Sequence, residues 1–188
     1  MNLQKKISYT AKDGTIVLLR YPSENDSIQL MSVLNELVDE HAPIGANEKV
    51  NRKQEEEYVR KAIKEIKEKK RIQFLAEIDK KIVANIGINR LYGKSAHVGE
   101  LGIFIKKLYR DKGIGEFMIK QALKYAHKEG IKIVKLSVFA NNDRAIHLYK
   151  KLGFKKVGLL KDALKDKGRY LLLFFCQFRL KIEFSFFL

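Results

Sequence analysis

The sequence predicts an α/β fold of the α+β kind: a mixed, mostly antiparallel twisted sheet of about 6–7 strands flanked by about 4 helices. Three observations carry this. Strand-like and helix-like apolar spacings follow one another in the order β-α-α-β-β-β-α-β-α-β-β, which is not a run of βαβ repeats. Three strand-like stretches between residues 72 and 105 are joined by tight polar turns, as in an antiparallel meander. Two later helix-like segments each stop at a glycine, Gly130 and Gly153.

The elements follow in order. TIVLLR (15–20) reads as a strand, and YPSEND (21–26) as a turn ending in helix-capping residues. Residues 26–40 place Ile28, Met31, Leu34 and Leu37 or Val38 at helical spacing. A loop at 41–51 leads to a highly charged stretch, 52–70, with a stripe of Tyr58, Ala62 and Ile66, the pattern of a surface helix. IQFLAEI (72–78), IVANIGINRLY (82–92) and HVGELGIFI (97–105) form the expected meander. Residues 113–129 are helical, 132–140 a strand and 141–153 a short helix. FKKVGLL and RYLLLFFCQF close the chain as two strands. The second is continuously apolar and KIEFSFFL follows it, which points to a strand buried on both faces or to a homodimer contact.

Composition narrows the function classes. The 188 residues are 46% hydrophobic and 32% charged, which suits one domain with a real core. Cys176 stands alone, so no intramolecular disulfide is expected. No Cys/His cluster has zinc spacing, so no metal is expected either. The first residues lack an apolar signal core, and Gln177, Arg179, Lys181 and Glu183 interrupt the apolar tail, so the reading is cytoplasmic with no membrane partner. The net charge of +16 is spread along the whole chain, and there is no Trp. That pattern points away from nucleic acid and toward attraction of acidic ligands.

RDKGIG (110–115) carries chemistry. Gly113 and Gly115 remove side chains where the chain enters a helix, whose first N–H groups lack internal partners and whose dipole end is positive. Bare amides there form an anion site, with Arg110 and Lys112 adding charge. It is neither a nucleotide P-loop nor a dinucleotide fingerprint. A plain strand-to-helix turn would explain the glycines alone.

The stretch from 97 to 158 resembles the GNAT family of acetyl-CoA-dependent N-acetyltransferases. RDKGIG matches its Arg/Gln-x-x-Gly-x-Gly/Ala signature, and GELGIFI (99–105) the strand before it. NNDRAIHLYKKLGF (141–154) matches a later segment, with Asn142, Ala145, Tyr149, Gly153 and Phe154 in register. The resemblance implies one N-acetyltransferase domain over 1–188, with a cofactor-binding core at about 97–158 and acceptor-side helices at about 26–70. It implies acetyl-CoA as co-substrate. Backbone groups of Ile103, Phe104 and Ile105 would pair with pantetheine, and amides from Asp111 through Lys112, Gly113, Ile114, Gly115 to Glu116 would hold the pyrophosphate. Asn142 would touch the cofactor or brace its loop.

The implied reaction moves an acetyl group to a primary amine, on a peptide N-terminus or a small compound, by direct attack in a ternary complex. Tyr149 is the implied proton donor to sulfur, against its reading as a core tyrosine. Glu100 is the candidate base, because partial burial between glycines would raise its pKa, against an exposed or ion-paired glutamate. Water can also serve as the base. Glu36 and Glu40 are weaker candidates for gripping the acceptor. The alternative function is a non-catalytic basic binding module on the same fold.

Overall fold

A computed structural model describes residues 6–166 and 169–180. Eight strands form one sheet in the order β1-β2-β3-β4-β5-β6-β8-β7. The strands are β1 (Ile7–Thr10), β2 (Ile16–Arg20), β3 (Arg71–Ile78), β4 (Lys81–Arg90), β5 (Val98–Ile105), β6 (Ile133–Phe139), β7 (Lys155–Asp166) and β8 (Arg169–Arg179). The helices are α1 (Ser27–Asp39), α2 (Arg52–Lys67), α3 (Ile114–Lys128) and α4 (Asp143–Lys151). All neighbouring strands run antiparallel except β5 and β6, which α3 connects in parallel.

The expected architecture holds, with one more strand than anticipated. β1 is the addition: ISYT pairs with β2 from Ile7↔Leu19 to Thr10↔Ile16. Four residues are too few to show a period, so the partner strand, not the local pattern, defines it. β7 also runs past the expected FKKVGLL, continuing through KDALKD beside β8 with register shifts.

The two sheet faces carry separate apolar clusters. On one face, Met118, Ile119, Ala122 and Ala126 of α3 pack on Phe74, Ile86, Ile88 and Leu101. On the other, Leu30, Val33 and Leu37 of α1 meet Val59 of α2 and Leu75 of β3, with Phe104 against them. The four-residue and three-residue spacings of these side chains are what put each stripe on its face.

α1 is fixed at its start by an ion-pair knot. Arg20 at the end of β2 grips Asp26 through two bonds of 2.7 and 2.8 Å and Glu77 of β3 at 2.8 Å. Burial pushes the Asp26 carboxyl up, but hydrogen bonds from Arg20 and Ser23 outweigh it and hold the group below its ordinary value.

The last strand is not buried on both faces. Cys176 is its buried residue, as an apolar core thiol should be, while Tyr170 and Leu172 are exposed and the other apolar side chains are half-buried. β8 lies between β6 and β7, and the α4 side covers Cys176 and Phe178, so its continuous apolarity is only partly covered. KIEFSFFL lies outside the described residues.

Candidate active site

The sheet opens between β5 and β6. Their pairing covers only Val98↔Ile133, Gly99↔Val134 and Glu100↔Lys135. From Leu101 onward β5 keeps β4 as its neighbour, while β6 pairs with β8 as far as Phe139↔Leu173. A cavity of about 850 Å³ fills this opening. Its lining includes Gly115, Leu148 and Tyr149 from one side of the sheet and Tyr58, Gln73, Asn85 and Phe104 from the other. The opening therefore connects the two faces.

The exposed edge has a definite polarity. Leu91 N–H donates to the Val98 carbonyl at 2.9 Å, and Lys106 N–H donates to the Val83 carbonyl at 2.9 Å. Even-numbered residues of β5 thus turn their backbone groups toward β4, and odd-numbered ones turn away. Ile103 and Ile105 accordingly face the opening. Phe104 does not: opposite Asn85, its backbone belongs to the β4 ladder, and it contributes its side chain to the wall. The expectation that Phe104 offers backbone groups to a ligand is corrected by this alternation.

At the mouth of the opening stands the start of α3. Gly113 adopts φ +85°, a conformation L side chains rarely adopt. A Cβ there would also lie 2.6 Å from the Tyr9 hydroxyl of β1, whose ring stacks on Phe117 at 4.4 Å. Gly115 lies where a Cβ would be 3.1 Å from Ile105 Cδ1 and 3.3 Å from Leu148 Cδ2. Glycine here lets the helix start approach both β5 and α4. Among the described hydrogen bonds, the amides of Gly113, Ile114, Gly115 and Glu116 find no acceptor within the chain.

The charged side chains of this loop are already engaged. Arg110 donates from Nε to the Ile105 carbonyl at 2.9 Å and pairs with Glu40. Lys112 pairs with Asp13 at 2.8 Å, and Asp111 with Arg144 at 3.2 Å. Glu116 is bonded by Lys151 and Lys120, in that order of effect, which holds its carboxyl down to about 2. What remains for an anion is mainly backbone N–H. Glu36 pairs with Lys106 at 2.6 Å, so both α1 glutamates tie this helix to the end of β5 and its loop.

Tyr149 is 8% exposed and lines the cavity. Burial pushes its phenol up to about 12. Asn142 caps α4 by accepting the Ala145 N–H at 3.2 Å, so it braces the loop while lining the same cavity. Glu100 departs from expectation. Its side chain is 46% exposed, pairs with Lys135 at 3.2 Å and is not in the cavity wall. Gly102, two residues on, lies in open space, since a Cβ there would meet nothing within 4 Å.

Tyr58, which the sequence placed only in an apolar helix stripe, lines the other end of the cavity with Arg71, Gln73 and Asn85, which the sequence did not single out. Gln73 and Asn85 are buried polar residues in otherwise apolar strands. That interruption was the available signal.

Comparison with known proteins decides the family. The model of the acetyltransferase (GNAT) family matches residues 32–154. The chain belongs to the GNAT family. An N-alpha-acetyltransferase of Sulfurisphaera tokodaii is 34% identical over 117 residues, covering 55% of this chain and 68% of that one. N-acetyltransferase aca1 of Schizosaccharomyces pombe is 34% identical over 77 residues, 40% and 37% of the two chains. A Bacillus subtilis relative is 29% identical over 90 residues, 47% of this chain and 55% of its own, so the chain spans about half the length of several relatives. Among solved structures, a GNAT acetyltransferase of Streptococcus pneumoniae superposes with a TM-score of 0.79 at 24% identity, over 87% of this chain and 99% of that one. The yncA protein of Salmonella typhimurium, solved with acetyl-CoA, gives 0.78 at 16% identity, over 88% and 95%. These likenesses show a shared fold. Among the described residues no group of His, Cys, Asp or Glu is placed to hold a metal ion, and no helix is long and apolar enough to cross a membrane.

Proposed function

We propose that this GNAT domain transfers an acetyl group from acetyl-CoA to a primary amine by direct attack. The observation that carries the reading is the opening between β5 and β6, with free helix amides at its mouth and Tyr149 in its wall. The residues fit the cofactor. Amides from Gly113 to Glu116 suit a pyrophosphate, and the odd-numbered edge of β5 suits the amides of a pantetheine arm. Asp111, Ile114 and Asn142 shape that loop, whereas Arg110 and Lys112 are engaged by Glu40 and Asp13. The +16 charge adds long-range attraction for an acidic cofactor.

Bound acetyl-CoA supplies a thioester carbon open to attack. A C–N bond forms to that carbon, the C–S bond breaks, and one proton leaves nitrogen while one ends on sulfur. The Ile103 N–H, which faces the opening, would polarise the thioester oxygen. Tyr149 donates its O–H to sulfur as charge develops there. Its raised pKa of about 12 sets the limits of that role. Against a thiol near 8.5, full surrender of the tyrosine proton is uphill by about 5 kcal/mol, so Tyr149 chiefly stabilises the leaving thiolate by hydrogen bonding, and solvent balances the protons. No side chain is assigned as base, and the amine loses its proton to water.

The test combines calorimetry, thermal unfolding and thiol release. Acetyl-CoA at 100 times its Kd should stabilise the protein by about 2.7 kcal/mol, and an amine panel should release free thiol. Absence of both binding heat and a melting shift would remove the reading.

A further inference from the structure

We infer that the cavity end formed by Tyr58, Arg71, Gln73 and Asn85 is an acceptor subsite for a small amine bearing a carboxylate or similar oxygen-rich acid group. This deepens the acetyl-transfer reading and rests on it.

Arg71 has donors and no acceptors. Its Nη1 donates to Gln73 Oε1 at 3.2 Å. That bond fixes the Gln73 amide with its nitrogen forward. Nε2 then donates to Asn85 Oδ1 at 2.9 Å and to the Tyr58 hydroxyl oxygen at 3.4 Å. The orientation of Asn85 follows in turn, with its Nδ2 left over. Each acceptor in the relay already receives a hydrogen bond from within it. Among the described residues, Asn85 Nδ2, Arg71 Nη2 and the Tyr58 O–H proton find no acceptor. All three residues line the cavity. A cluster with donors left over and acceptors already engaged selects a ligand rich in acceptors.

The packing supports a built site. Gln73 is 1% and Asn85 7% exposed, and two buried amides in a strand core are retained only where their polar atoms are used. Arg71 stacks over the Tyr58 ring at 5.2 Å, which holds the guanidinium in place. Glu65 approaches Arg71 Nε to 3.0 Å but off the N–H direction, so it pairs the charge without a directed bond.

The register supplies the path to the reacting centre. Gln73 lies opposite Gly87, and Gly87 opposite Gly102. A Cβ at Gly102 would meet nothing within 4 Å, and one at Gly87 only the Ile72 carbonyl at 3.8 Å. Two adjacent strands thus lack side chains in the row between the donor cluster and the β5 edge. The hollow is about 10 Å across, two strand spacings. That suits a molecule the size of an amino acid, with its acid group on the donors and its amine toward β5.

The experiment compares free L-amino acids with the same amino acids as C-terminal amides, which present what a peptide bond presents. Thiol release is followed for the wild type, Asn85→Asp and Tyr58→Phe, with acetyl-CoA affinity measured by calorimetry. Asn85→Asp keeps the acceptor for Gln73 but turns the leftover donor into a charged acceptor. The wild type is expected to favour acids over amides by about tenfold or more in kcat/KM. Asn85→Asp should abolish or invert that ratio, Tyr58→Phe should reduce it, and cofactor affinity should stay within about threefold. Transfer with no preference for acids, or a ratio unmoved by Asn85→Asp, overturns the subsite while acetyl transfer stands. If coenzyme A binds but no amine is acetylated, the transfer reading fails. The subsite is then decided by thermal shift in saturating coenzyme A, where equal shifts from acids and amides overturn it.

Discussion

Replacing Tyr149 by Phe separates its chemical role from its role in the core. The phenol is 8% exposed and sits among Phe154 and the α3-side cluster, so the ring itself must stay. No hydrogen bond engages its hydroxyl among the described residues, and burial has pushed its pKa from 10 to about 12. Burial thus opposes ionisation, so the O–H remains a donor well beyond neutral pH. In the ground state a thioester sulfur is a poor acceptor. In the transition state it carries charge, and a hydrogen bond to a charged group contributes about 1.5–3 kcal/mol. Tyr149→Phe should therefore lower kcat about 10- to 150-fold. Affinity for acetyl-CoA should change by no more than about threefold. The melting temperature should hold, since the ring and its packing stay and the hydroxyl belongs to a residue that lines the cavity. Steady-state thiol release, calorimetry and thermal unfolding give the three readouts, with Glu100→Gln as a control expected to stay near wild type. Unchanged kcat, or a loss confined to cofactor affinity, would refute the donor role.

Two further predictions concern the scaffold. Gly113→Ala should cost about 1–2 kcal/mol for the left-handed backbone, plus the displacement of the Tyr9 hydroxyl that would otherwise lie 2.6 Å from the new Cβ. Combining it with Tyr9→Phe should recover the second part only, because the next ring atom is 3.7 Å away; denaturant titration checks this, and full recovery would deny the backbone strain. Asp26→Asn should cost about 3–5 kcal/mol at neutral pH by breaking a buried pair with Arg20. The wild-type carboxyl is held below its ordinary value, so its stabilisation is fully present above the unfolded pKa of about 3.9 and fades as pH falls through the folded one. The stability gap between the two proteins should narrow in acid, and a gap that widened there would be wrong for this pair.

Much of the fold was legible because its signals are local. The α3 stripe and the glycines that end α3 and α4 lie within a few turns of one another, and RDKGIG announces the start of α3 directly. The α1 stripe was misread: Leu30, Val33 and Leu37 are buried, whereas Ile28 is exposed and Met31 and Leu34 are half-buried, because the face a helix buries is set by what packs on it. The engagement of its side chains was not legible. Arg110 meets Glu40 and Lys112 meets Asp13 across long separations, which turns an apparent cationic loop into one that offers mainly amides.

The sequence alone therefore determined the order of elements from β2 onward, the glycine-marked start of α3 and the family pattern around Tyr149. Only the tertiary structure decided that Glu100 is an exposed ion-paired residue, because cover is a property of what lies above a strand. It also decided which backbone groups of β5 are free, because hydrogen-bond alternation counts from a partner strand. The donor cluster at Tyr58, Arg71, Gln73 and Asn85 comes from two strands and a helix. Its unspent hydrogens, and the glycine row that leads from them, exist only once the register is set.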